Sequence, residues 1–150
     1  MNPLTYFSDA AADYAKYRPR YPDAAIDAIL EGLGLPSQIV AAEIGAGTGI
    51  ASRQLAECGV RVIAIEPNQE MRQAAQSHPL VEFCEGTAEA TNLPDASVDL
   101  VVCFQAFHWF NREESLAEFR RVLKPSGRLA LVWNYWESGD KFTQNYYGLL

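Results

Sequence analysis

Three glycines alternate with other residues in Gly45-Ala46-Gly47-Thr48-Gly49, directly between an apolar run and a helix-like stretch. No other feature of the chain restricts its fold so strongly. The run before it, Ile39-Val40-Ala41-Ala42-Glu43-Ile44, is short, partly β-branched and almost wholly apolar, so it reads as a strand buried on both faces. Glycines at the end of such a strand let the backbone turn sharply and let a ligand approach without Cβ obstruction. Thr48 to Cys58 then reads as a helix. In open parallel sheets, ligands bind beyond the carboxyl ends of the strands, near the point where the strand order reverses.

The pattern repeats. Val60 to Ile65, Val81 to Cys84, Val98 to Phe104 and Arg128 to Trp133 read as four more strands. Asn68 to Ser77, with Asn68 as cap, and Arg112 to Leu123, with Leu116, Phe119, Val122 and Leu123 on one side, read as helices. Ahead of the repeat, Asp23 caps a helix over 24–33 that Gly32, Gly34 and Pro36 end. Lys124-Pro125-Ser126-Gly127 reads as a turn. Strands alternating with helices predict an α/β, doubly wound, mostly parallel sheet with helices on both faces.

Composition narrows the partners. A chain of 150 residues holds about one domain, and its formal net charge of −7 leaves little basic surface for a nucleic-acid backbone. The N-terminus has no basic region followed by an apolar stretch, and no apolar run approaches the ~20 residues of a membrane helix. Cys58, Cys84 and Cys103 form no CxxC pair and no metal spacing, and read as small buried hydrophobes of a reducing compartment. The expectation is a cytoplasmic protein that takes a small-molecule substrate, with no metal, nucleic-acid or membrane partner.

Two ligand classes fit the glycine loop. Glu66 closes the second strand about 20 residues after it, where a carboxylate can accept both hydroxyls of a ribose. A dinucleotide site has a third glycine where Ile50 stands, and Glu43 just ahead of the loop suits an ammonium group better than a pyrophosphate. Both departures favour an adenosyl ligand that carries an amino acid.

Glu43-Ile44-Gly45-Ala46-Gly47-Thr48-Gly49 resembles motif I of the class I S-adenosylmethionine-dependent methyltransferases. Five further segments match in order: Ile65-Glu66-Pro67-Asn68-Gln69-Glu70-Met71, Gly86-Thr87-Ala88-Glu89-Ala90 followed by Leu93-Pro94, Ser97-Val98-Asp99-Leu100-Val101, Gln105-Ala106-Phe107-His108-Trp109-Phe110, and Arg120 to Gly127. With Tyr17-Arg18-Pro19 near the N-terminus, they resemble the methyltransferase type 11 branch that includes trans-aconitate methyltransferase-like proteins. The resemblance covers roughly residues 6–136 and implies a Rossmann-like fold.

The resemblance implies S-adenosylmethionine as cofactor, with S-adenosylhomocysteine as product. Gly45, Ala46 and Gly47 would pass under its methionine part, Glu43 would hold the amino end, and Glu66 beside Pro67 would take the ribose. Met71 would cover the adenine. The adenine loop departs from the common pattern, since Thr87 stands where an acid is usual and Glu89 follows Ala88, so either side chain could read the exocyclic amine. The backbone of Gln105 and Ala106 would contact the methionine portion. His108, whose imidazole can serve as a base near neutral pH, is the candidate for substrate contact or catalysis. Tyr14, Tyr17, Arg18 and Tyr21 would form a lid, with Arg18 near a carboxylate of cofactor or substrate.

The reaction implied is methyl transfer to a small-molecule acceptor, and a carboxylate acceptor would need no base. The alternatives are a cofactor-binding module or fragment without transferase activity, and a nicotinamide-dependent oxidoreductase. Residues 1–36 are expected to hold the lid and first helix, and 37–150 the cofactor domain. The family sheet has seven strands and this chain provides five, with a helix-like stretch at Phe142 to Leu150. The expectation is therefore a sheet lacking its last two strands, with strand five as a bare apolar edge that a second copy would cover as a homodimer.

Overall fold

The computed structural model describes residue 16 and residues 18–135. Tyr14, Tyr17 and the stretch from Phe142 lie outside the described residues. The elements in chain order are α1 (Asp23–Leu30), a 3-10 turn (Pro36–Gln38), β1 (Val40–Ile44), α2 (Ile50–Glu57), β2 (Arg61–Ile65), α3 (Gln69–Ala74), β3 (Val81–Cys84) and β4 (Val98–Phe104). A second 3-10 turn (Phe107–Trp109), α4 (Arg112–Val122) and β5 (Leu123–Val132) complete them.

The strands form one parallel sheet in the order β3-β2-β1-β4-β5. From β1 the chain winds outward through β2 and β3, then returns to place β4 on the other side of β1. The strand order therefore reverses between β1 and β4, and the loops leaving these two strands diverge above that point. This is the α/β architecture the alternating pattern predicts.

Side-chain parity divides the core into two layers. On one face, Ala41 of β1, Val62 of β2 and Leu100, Val102 and Phe104 of β4 pack against Ile26 and Ile29 of α1 and Ala51, Leu55 and Ala56 of α2. On the other, Ala42, Ile44, Ile65, Val101 and Cys103 pack against Phe119 and Val122 of α4. Leu55, Val62 and Val102 are fully buried, each worth about 1.5–3 kcal/mol of transfer free energy. Glu43 shares its parity with Ala41, so its side chain enters the layer between the sheet and α2.

Four local expectations are corrected. Pro22, not Asp23, caps α1, and no side chain bonds to its first turn; Asp23 is already the first helical residue. Leu116 is exposed, and the buried face of α4 is Ser115, Phe119 and Val122. Residues 124–127 do not separate a turn from a later strand: β5 already begins at Leu123, opposite Val98, and these residues bulge before pairing resumes at Leu100 and Arg128. Cys58 is exposed, so only Cys103 of the three cysteines is fully buried.

The segment ahead of α1 is fastened to the sheet layer. The Tyr21 N–H donates to Gln54 Oε1 and the Gln54 amide donates back to the Tyr21 carbonyl, both at 2.8 Å. The Tyr21 ring lies 4.5 Å from that of Phe104, and Arg20 pairs with Glu57. No helix among the described residues is long and apolar enough to cross a membrane.

Candidate functional site

The loop after β1 is fixed by the end of β2. The N–H groups of Gly45 and Ala46 both donate to the Ile65 carbonyl, at 2.9 and 3.1 Å. Gly45, Gly47 and Gly49 all have positive φ, the left-handed region that disfavours side chains. Space excludes side chains as well. A Cβ on Gly45 would stand 2.8 Å from Cβ of Ala106, and one on Gly49 would stand 2.5 Å from Cζ of Phe83. The loops leaving β1 and β4 thus touch across the switch point, with Gly45 under Ala106. Gly49 is the N-cap of α2, so Thr48 lies in the loop rather than in the helix.

Two carboxylates flank this loop. Glu66 is buried, with Oε2 accepting from the Gly47 N–H at 2.8 Å and Oε1 accepting from the Asn68 N–H at 2.9 Å. Burial pushes its pKa up, while these two bonds and nearby Arg72 hold it down. Asn68 caps α3 through the Met71 N–H at 3.0 Å, which seats the buried Met71 on the turn beyond Glu66 and Pro67.

Glu43 is 2% exposed, in the middle of the sheet. Its Oε2 accepts a hydrogen bond from the Ser52 hydroxyl. Desolvation raises its pKa to about 7; Glu66 adds to the rise, and Ser52 and Arg53 oppose it. A buried carboxylate on a central strand costs stability, and such groups cluster at functional sites. The Thr48 hydroxyl, in the glycine loop, is buried with no hydrogen-bond partner among the described residues.

The loop holding Thr87, Ala88 and Glu89 follows β3. Ala88 is buried, Thr87 Oγ1 accepts from the Ala90 N–H at 3.2 Å, and Glu89 Oε1 accepts from the Asn111 N–H at 2.9 Å. Beyond it, Thr91 bonds Glu118 through its N–H at 2.9 Å and its hydroxyl at 2.6 Å. Arg121 joins Glu118, Asp95 and the Leu93 carbonyl. The loop is therefore bracketed onto α4.

After β4, Gln105 takes φ +56°, a strained conformation for a residue with a side chain. It re-aims the chain so that Ala106 crosses Gly45. In the 3-10 turn that follows, the Trp133 indole N–H approaches His108 Nδ1 at 3.4 Å, and the His108 ring lies 5.1 Å from that of Trp109. Arg18 is half-buried, just ahead of the Tyr21 clamp.

Phe83 against Gly49 and Ser52 against Glu43 are contacts that no sequence motif marks. The available signal for Ser52 was helical phase: as the third residue of α2 it lies one turn before the buried Leu55 and Ala56, on a face otherwise apolar.

Residues 42–131 match the methyltransferase domain family. The chain belongs to that family. It is 41% identical over 133 residues to an uncharacterised methyltransferase-like protein of Schizosaccharomyces pombe, covering 87% of this chain and 52% of the relative. An uncharacterised methyltransferase of Mycobacterium tuberculosis is 40% identical over 129 residues, covering 85% and 51%. Among solved structures, a protein of Anaeromyxobacter dehalogenans provisionally described as a type II methyltransferase superposes with a TM-score of 0.77 at 37% identity, covering 89% of this chain and 58% of that one. An S-adenosylmethionine-dependent methyltransferase of Aquifex aeolicus shares the fold, with a TM-score of 0.68 at 23% identity over 86% of this chain and 77% of that one. The chain spans about half the length of the curated relatives it matches.

Proposed function

We propose that this methyltransferase-family chain binds S-adenosylmethionine across the β1/β4 switch point and directs its methyl group to a small, carboxylate-bearing acceptor. The single observation that carries the reading is the pair of buried carboxylates, Glu43 and Glu66, on either side of a loop that admits no side chain at Gly45 or Gly49. Their chemistry matches a ligand with a cationic amino-acid end and a diol. The Thr48 hydroxyl of the same loop, without a partner among the described residues, is a further polar group for a ligand or a water.

In this reading, Glu43 receives the ammonium end and Glu66 the ribose hydroxyls, using the lone pairs its two backbone bonds leave. Gly45, Ala46, Gly47, Gln105 and Ala106 line the methionine part. Met71 and Pro67 lie along the adenosine, with Thr87, Ala88 and Glu89 at the adenine. Thr87 Oγ1 and Glu89 Oε1 each already accept one backbone N–H, and both side chains keep lone pairs for the exocyclic amine. Arg18 serves a carboxylate of cofactor or substrate.

When bound, the cofactor supplies a methyl group on a sulfonium, an electrophile that needs no acid to expel its leaving group. The residues are then left to align the acceptor and exclude water. An indole N–H can only donate, so a bond from Trp133 to His108 Nδ1 leaves Nε2 as the ring nitrogen free to face a substrate. We assign His108 as a hydrogen-bond donor toward an acceptor oxygen, which suits a carboxylate that needs no deprotonation.

Transfer of labelled methyl from S-adenosylmethionine to a panel of di- and tricarboxylic acids, set against their amides, tests this reading. Labelled esters from the acids alone support it. Cofactor binding without transfer to any acid would reduce the chain to a binding module. We also propose that a second copy pairs along the side of β5 that no other described strand covers, which a concentration-dependent sedimentation coefficient would reveal.

A further inference from the structure

Glu43 lies in the middle of the sheet, yet its carboxylate does not depend on solvent. Its partners can be traced element by element. Ser52 of α2 is fully buried and donates its hydroxyl to Glu43 Oε2. Arg53, next on α2, is the nearby cation and is itself tied to the Thr48 carbonyl at 2.9 Å. Glu66, just past β2, is the nearby like charge. Cys103 of β4 is buried, and the Glu43 charge helps hold its thiol protonated.

Among these groups, only Ser52 makes a direct hydrogen bond to Glu43. Parity on β1 and phase on α2 bring the two together: Glu43 faces α2 because Ala41 does, and Ser52 lies one turn before Leu55, which packs on the same layer. A buried polar residue in a helix usually bonds back to its own backbone. Ser52 instead reaches across to another element, to an ionisable group at the mouth of the glycine loop.

We propose that Ser52 is a positioning residue for cofactor binding: its hydroxyl fixes the Glu43 carboxylate so that it is ready to receive the cofactor's ammonium group. The inference rests on the cofactor assignment above and deepens it. Glu43 cannot be held by solvent, and a hydrogen bond to the ionised form favours ionisation. Without the hydroxyl, burial and Glu66 both push the carboxylate toward its neutral form, which attracts an ammonium poorly. The pair therefore couples cofactor uptake to release of a proton. Burial holds the Glu43 carboxyl up at about 7, so binding of an ammonium to its ionised form should release protons, and the affinity should rise with pH.

Calorimetric titration of S-adenosylmethionine between pH 6 and 8, in buffers of different ionisation enthalpy, tests the proposal without any assay of turnover. Ser52→Ala should weaken binding at pH 7 by about ten- to a hundredfold, the size of one lost hydrogen bond to a charged group. It should also move the rise in affinity to higher pH and increase the protons released. Ser52→Thr, which restores the hydroxyl, should recover both the affinity and the pH at which it rises. Thermal melts would confirm that each variant is folded. If Ser52→Ala binds as tightly as wild type with the same pH profile, the positioning role is wrong while the cofactor assignment stands. If the wild-type chain takes up no S-adenosylmethionine at any of these pH values, the cofactor assignment itself is overturned, and this inference with it.

Discussion

Glu66 Oε2 accepts the Gly47 N–H at 2.8 Å, so the carboxylate that closes β2 also shapes the loop that leaves β1. The same side chain takes the Asn68 N–H on its other oxygen. Glu66 is thus a brace between two turns, besides the diol contact proposed for it. Glu66→Gln keeps the size and one accepting oxygen but loses the charge. It should weaken S-adenosylmethionine binding by about 1.5–3 kcal/mol, and because its amide NH2 faces one of the two backbone N–H donors it should also cost about 1–3 kcal/mol of stability. Paired calorimetry and thermal denaturation would separate the two effects.

Gly49 stands at φ +75°, and a Cβ there would collide with the ring of Phe83. Gly49→Ala should therefore destabilise the chain by about 2 kcal/mol or more, from backbone strain and overpacking together. Phe83→Leu in the same chain should relieve the overpacking and leave the strain. Urea denaturation of the single and double variants would give the two parts.

Glu118 makes a prediction about acid. Hydrogen bonds from Arg121 and Thr91 hold its carboxyl down at about 2, against an ordinary value of 4.5. A depressed pKa stabilises the folded form fully above the unfolded value, and that stability is lost as pH falls through the folded one. Glu118 should then contribute about 2 kcal/mol at neutral pH, after allowance for solvent screening on the Arg121 side, and lose it between about pH 4.5 and 2. Stability of wild type and Glu118→Gln should converge across that window. The consequence reaches the site, because Glu118 brackets the loop that carries Thr87 and Glu89.

His108 as a donor, rather than a base, predicts a specific kinetic split. With a carboxylate acceptor, His108→Ala should raise KM for the acceptor more than it lowers kcat. A catalytic base would show the reverse, and its loss would remove a limb of the pH–rate profile.

The strand order and the position of the glycine loop were legible because buried parallel strands are short apolar runs and glycine marks the turns between them. Glu66 and Asn68 were legible too, each from its place at an element end. Glu43–Ser52 was not, since it depends on the parity of one strand meeting the phase of one helix, and neither is visible in a local motif. Asp23 misled for a local reason. It has the side chain of a cap, but Pro22 ahead of it already fits the cap position and no side chain bonds to the first turn of α1. Leu116 misled because helical spacing alone does not say which edge of an apolar stripe the sheet covers.

The central claim is that two carboxylates and a glycine loop form a site for an adenosyl amino acid. Calorimetry with S-adenosylmethionine and with a nicotinamide dinucleotide, on wild type and on Glu66→Ala, tests it most directly. Saturable binding of S-adenosylmethionine, no heat with the dinucleotide, and binding at least about tenfold weaker in the variant are expected. Binding of the dinucleotide instead, or S-adenosylmethionine bound equally well by Glu66→Ala, would contradict it.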